Sequence, residues 1–164
     1  MIPIINQYGK EYLEVPEKIR IACRAIIIDG DKILLSHELY TQVYLTVGGG
    51  LEKGETHEEC CVREVLEESG YIIKTGKQFC TVNEYYKNML YTSHYFICEI
   101  TGKGERNLTK AEIEHGVTPE WVELSDALKI FGEYEKYAET DEEIEGQYKR
   151  EFAVLTRFKD EVLN

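Results

Sequence analysis

Glutamate is crowded into one short part of this chain. Between Gly48 and Tyr71, in GGGLEKGETHEECCVREVLEESGY, seven of twenty-four residues are glutamates, and Glu64, Glu67 and Glu68 fall within REVLEES. On a helix, residues three and four apart share a face. These three carboxylates would then lie within roughly 100° of arc. Like charges this close repel by about a few tenths of a kcal/mol per pair. They also sit in the last turns, where the helix macrodipole disfavours negative charge. A bound divalent cation reverses the sign of that cost. An all-carboxylate donor set is hard, and suits Mg2+ or Mn2+ better than Zn2+. Arg63, one turn before Glu67, can orient a carboxylate and offset part of the charge. A solvated acidic helix face has a similar composition. The adjoining Gly48-Gly49-Gly50 weighs against that reading, because three glycines let backbone approach a ligand or metal closely.

The helix that must carry these groups has clear limits. Thr56 and Glu59 form a capping box and Gly70 stands where a left-handed C-terminal residue belongs, so the helix spans about 57 to 69. Val62, Val65, Leu66 and Ser69 give it a second face to bury. IRIACRAIIIDGDKILLSH reads as two strands around Asp29-Gly30-Asp31, and Val43–Val47 as a short strand running into the glycines. YIIKTGKQFCTVNEYY and NMLYTSHYFICEI read as strands joined near Lys87-Asn88. GKGERNL is expected as a loop, WVEL after Pro119 as a strand, and SDALKIF as a short helix capped by Ser125. From Thr140 to Leu163, Ile144, Tyr148, Phe152, Leu155 and Phe158 recur at helical spacing, with Gly146 weakening the first half. This C-terminal helix (140–163) can cover the sheet or form a homodimer interface. Residues 1–17 form an N-terminal leader strand or arm. Strands, a helix, strands and then helices indicate an α/β fold, with a mixed sheet covered by helices.

The chain has 164 residues, 43% apolar and 30% charged, with a net charge of -12. That fits one domain, residues 1–164, with a sizeable core. The acidic balance repels nucleic-acid backbone and anionic lipid, so no nucleic acid duplex and no membrane is expected as partner. A small phosphorylated ligand remains compatible when a cation mediates the contact. No apolar run is long enough to span a bilayer and no signal peptide is visible at the N-terminus; the expected location is cytoplasmic. The five cysteines are odd in number and lack a CxxC pair, and are read as reduced and mostly buried.

Taken together, these residues resemble the Nudix box, G-x5-E-x7-R-E-U-x-E-E-x-G-U, with U a bulky aliphatic residue. Gly49 is the first glycine. Glu55 follows after five residues, and Arg63-Glu64-Val65 after seven more, then Glu67-Glu68, Gly70 and Tyr71. All seven specified identities match, and only Tyr71 departs, standing where an aliphatic residue is usual. The strand order resembles the Nudix α/β/α sandwich, a mixed β-sheet with the box helix on one side and the C-terminal helices on the other.

The resemblance implies divalent-metal-dependent hydrolysis of a pyrophosphate bond in a nucleoside diphosphate linked to another moiety. Glu64, Glu67 and Glu68 would be the metal carboxylates, with the Gly48 carbonyl as a further ligand and Mg2+ or Mn2+ as cofactor. Glu55 and Arg63 would orient them, and Gly49 and Gly50 would bring backbone to the substrate. In many relatives a glutamate before a late Trp-containing strand is the general base. Here Glu114 is favoured over Glu112, both preceding Trp121, with a box glutamate as a further option. Arg24, inside an apolar strand, matches an arginine that reaches substrate phosphate. Tyr44 is one of several tyrosines offering a face to a nucleobase, whereas His37 is expected as a surface histidine. Valine at position 47 replaces a proline common in the family. A non-catalytic nucleotide sensor is the alternative function, disfavoured by the intact carboxylate set. Segments 83 to 91 and 102 to 120 are expected to select the substrate.

Overall fold

The computed structural model describes residues 1–164. Its strands are β1 (Ile4–Tyr12), β2 (Lys18–Ile26), β3 (Ile28–Asp29), β4 (Lys32–Glu38), β5 (Val43–Thr46), β6 (Gly48–Gly50), β7 (Tyr71–Lys87), β8 (Met89–Lys103) and β9 (Val117–Glu123). The helices are α1 (His57–Ser69), α2 (Lys110–His115), α3 (Leu124–Gly132) and α4 (Glu142–Phe158). No helix is long and apolar enough to cross a membrane.

The strands form two sheets. One has the order β1-β7-β8-β2-β6; the other joins β3, β4 and β5, with β9 on the free side of β4. The first is mixed: β1 runs parallel to β7 and β8 parallel to β2, while β7–β8 and β2–β6 are antiparallel. The N-terminal arm is therefore an edge strand. The turn at Gly30, whose φ of 58° suits glycine, joins only the short β3 to β4. The long strand before it, β2, belongs to the other sheet, because its partners β8 and β6 lie far along the chain.

Alternation on β2 explains the layers. Cys23, Ala25 and Ile27 face one way and pack with Cys60, Cys61 and Val65 of α1. Ile26, with Ile33, Leu35, Val82 and Tyr95, meets Phe131 of α3 and Tyr148, Leu155 and Phe158 of α4. Full burial of a side chain such as Val65 stabilises the fold by about 2 kcal/mol. The apolar stripe of α4 is thus used to cover the sheet. All five cysteines are free and buried. Cys23 and Cys61 are pushed up by hydrogen bonding to Cys60 and Cys98 and by burial, which keeps them as thiols.

Three boundaries differ from expectation. Helix α3 starts at Leu124, and Ser125 does not cap it: Glu123 stands at the N-cap without a side-chain bond. Strand β9 begins two residues before Pro119, which an edge strand tolerates. Residues 110–115, given no element from sequence, form α2, because Thr109 and Glu112 make a second capping box.

His57, the first residue of α1, stacks on His94 of β8 with centroids 3.9 Å apart. Burial, then the neighbouring His57, depresses His94 from 6.5 to about 4. Between those values the unfolded chain holds a proton that the folded one excludes, so stability falls as pH drops through the interval. We expect His94→Asn to flatten the dependence of the urea midpoint on pH between 6.5 and 4.5. An unchanged slope would show that His94 has no part in it.

Candidate active site

The triple glycine forms strand β6. Gly48, Gly49 and Gly50 pair with Arg24, Cys23 and Ala22 of β2. A side chain at Gly48 would collide with the Cys23 carbonyl and with Arg24, and one at Gly49 with the Glu64 carboxylate. Gly48 provides the space in which β6 closes on β2, and Gly49 the space in which α1 closes on β6. We expect Gly48→Ala, whose methyl would meet β2 backbone, to destabilise the protein by about 1–3 kcal/mol, as overpacking does; an unaltered denaturant midpoint would refute the close approach.

Helix α1 is positioned as its ends dictate. Thr56 accepts from Glu59 N, Glu59 accepts from Thr56 N, and Gly70 takes φ 80° at the C-cap. Arg63 is the hub of its acidic face. Its Nε donates to Glu55 Oε1 at 2.5 Å and its Nη2 to Glu55 Oε2 and the Gly50 carbonyl, both at 3.0 Å. Its Nη1 donates to Glu64 at 2.8 Å and Glu67 at 3.2 Å. Hydrogen bonds from Arg63 hold Glu55 below the usual carboxylate range, even though burial opposes this. The box arginine ties β6, the loop before α1 and two helix carboxylates into one unit.

Glu68 is treated differently. It is 8% exposed, and burial pushes its carboxyl up to about 7, with Ser36 and Arg24 opposing the shift and Glu112 and Glu64 adding to it. Burial also raises Glu64, against Arg63. Glu68 lines a cavity of about 100 Å³ together with Arg24, Ser36, Glu38, Thr46 and Glu112. Arg24 donates from Nη1 to the Thr46 carbonyl at 3.0 Å, and its Nε is buried without a partner. No three His, Cys, Asp or Glu side chains converge into a closed metal cage; Glu64 and Glu67 are held by Arg63 instead. The donor chemistry still fits a hard cation, since Glu64 and the buried Glu68 offer only oxygen.

Outside the box, the two candidate glutamates separate. Glu112 faces the cavity, with Oε1 accepting from Thr109 N at 2.8 Å. Glu114 does not line it: its side chain is 62% exposed and lies 3.9 Å from Lys110. His37 is 6% exposed rather than on the surface, because it lies against the Tyr44 ring, 3.9 Å between centroids, with Nδ1 2.6 Å from Glu120. Tyr44 is thus already stacked within the protein, its hydroxyl raised by burial and by Glu120. Ser36, Glu38 and Thr46 were not singled out from sequence. The polar end of an otherwise apolar strand, Ser36-His37-Glu38, was the available signal.

A two-sheet α/β/α sandwich that sets an arginine-braced carboxylate helix against a glycine strand defines a class of protein. The NUDIX domain family matches residues 18–144: the chain belongs to this family. Two mouse proteins, diphosphoinositol polyphosphate phosphohydrolases 3-alpha and 3-beta, are each 28% identical over 102 residues, or 62% of this chain. The aligned stretch spans 60% of the length of each. Among solved structures, an ADP-ribose pyrophosphatase from Streptococcus suis superposes with TM-score 0.57 at 17% identity, covering 87% of this chain and 93% of its own. A NUDIX hydrolase from Nitrosomonas europaea gives 0.57 at 20% identity, covering 82% and 88%. At these identities the structures speak for the fold.

Proposed function

We propose that the protein is a divalent-metal-dependent pyrophosphohydrolase acting on a nucleoside diphosphate linked to another moiety. The observation that carries this is the burial of Glu68 in a cavity opposite an arginine with an unpartnered Nε. Such an arrangement is costly in an idle protein and suits a site that takes up a cation and an anionic substrate together. The names of the similar proteins, a pyrophosphatase and diphosphoinositol polyphosphate phosphohydrolases, agree with a diphosphate bond.

In this reading Glu64, Glu67, Glu68 and the Gly48 carbonyl hold Mg2+ or Mn2+. The bound cation would neutralise pyrophosphate oxygens and acidify a water. Arg63 and Glu55 keep the carboxylates oriented. Arg24 directs its guanidinium at a phosphate, while Gly49 and Gly50 let the substrate lie close to backbone. Glu112 takes the proton of the attacking water. Its Oε1 is engaged by Thr109, which leaves the other oxygen for that task. Glu112 replaces Glu114 as the preferred base because only Glu112 reaches the cavity.

The test is phosphate or nucleotide release from a panel of nucleotide sugars, ADP-ribose, nucleoside triphosphates and dinucleoside polyphosphates, with Mg2+, Mn2+ or chelator. Turnover of one class that chelator abolishes is the expected result. Silence across the panel, with nucleotide still bound, would turn the reading to a sensor.

A further inference from the structure

Two charged side chains of α4 are buried where apolar ones would pack at less cost. Glu151 is 0% exposed and Arg150 4%. Well-packed apolar residues often replace a buried ion pair without loss of stability, so the pair calls for another explanation. Its bonds lead toward the candidate active site. Arg150 donates from Nε to the Tyr95 hydroxyl at 2.8 Å, from Nη1 to Glu84 at 2.9 Å and from Nη2 to Glu151 at 3.0 Å. Thr46 donates its hydroxyl to Glu151, 3.0 Å from each carboxylate oxygen, and its backbone N lies 3.4 Å from Oε1. The Thr46 carbonyl in turn accepts from Arg24.

We infer that Glu151 is a positioning residue for Arg24: braced by Arg150, it clamps Thr46, whose carbonyl sets the plane of the guanidinium in the cavity. The inference rests on the proposed function, in which Arg24 meets substrate phosphate. A guanidinium recognises phosphate through a fixed fork, and the Nη1–Thr46 bond is the hydrogen bond that the Arg24 side chain makes to the protein here. Helix α4, which touches no box residue in this network, thereby governs phosphate binding from the far side of the sheet.

The Nε–H of Arg24 is buried, so its 15N relaxation reports directly on the orientation of the side chain in the substrate-free protein. Thr46→Val removes only the hydroxyl link, and Glu151→Gln keeps the shape while weakening both ends. In the native protein the Arg24 Nε–H should be rigid, and in either variant mobile on the nanosecond scale. Calorimetry with methylenediphosphonate and Mg2+ provides the second readout. Arg24→Lys should weaken this probe about 10-fold, the scale of one charge-assisted hydrogen bond. Thr46→Val should weaken it less, and add nothing in the Arg24→Lys background. If Arg24→Lys weakens binding but Nε–H stays rigid in both clamp variants, the positioning role is wrong and the function stands. If Arg24→Lys leaves binding unchanged, the phosphate role of Arg24 falls, and this inference with it.

Discussion

Glu68→Gln should lower turnover by at least ~10²-fold, the scale of losing a charge-stabilising catalytic group, while the fold survives. The two halves of this expectation come from the same burial. The folded protein resists ionising Glu68, pushing it up to about 7 by desolvation. For a carboxyl raised above its unfolded value, the stability it contributes is present at low pH and lost as pH rises through the folded value. At pH 8 the wild type carries that cost and the neutral glutamine does not. The variant should therefore unfold at an equal or higher urea concentration at pH 8, yet be nearly inactive. Activity within twofold of wild type would remove Glu68 from the metal site. Inactivity with loss of the folded state would instead assign it a structural role.

Glu112→Gln should slow hydrolysis by about 10²–10⁴-fold, the range for a general base, with little change in metal affinity. Glutamine serves a capping box as well as glutamate does, so it can still accept from Thr109 N and α2 should persist. Glu114→Gln, on the exposed side of the same short helix, should stay within about twofold of wild type, as surface pairs contribute little. Single-turnover rates and Mn2+ titrations on both variants decide between them. A large loss at Glu114 with none at Glu112 would overturn the assignment.

The box helix was legible residue by residue. Thr56, Glu59 and Gly70 act on backbone within four residues of themselves, and α1 spans His57–Ser69 as they dictate. The same kind of box, Thr109 with Glu112, opens α2, but that helix is short and buries no residue, so no apolar periodicity marks it in the sequence. Arg63 as partner of Glu67 follows from helical spacing, whereas its bonds to Glu55 and Gly50 depend on how the preceding loop folds back.

The sequence by itself determined the carboxylate helix, its caps and the hard oxygen character of its donors. All of these rest on interactions between residues close in the chain, or on side-chain chemistry that no fold alters. The tertiary structure alone decided that β2 and β4 part into two sheets, that Glu112 faces the cavity while Glu114 faces outward, that His37 is buried against Tyr44, and that Glu151 reaches Thr46. Each of these depends on which distant segments share a layer. That choice is made by packing apolar faces from across the whole chain, and a pattern confined to a few neighbouring residues does not contain it.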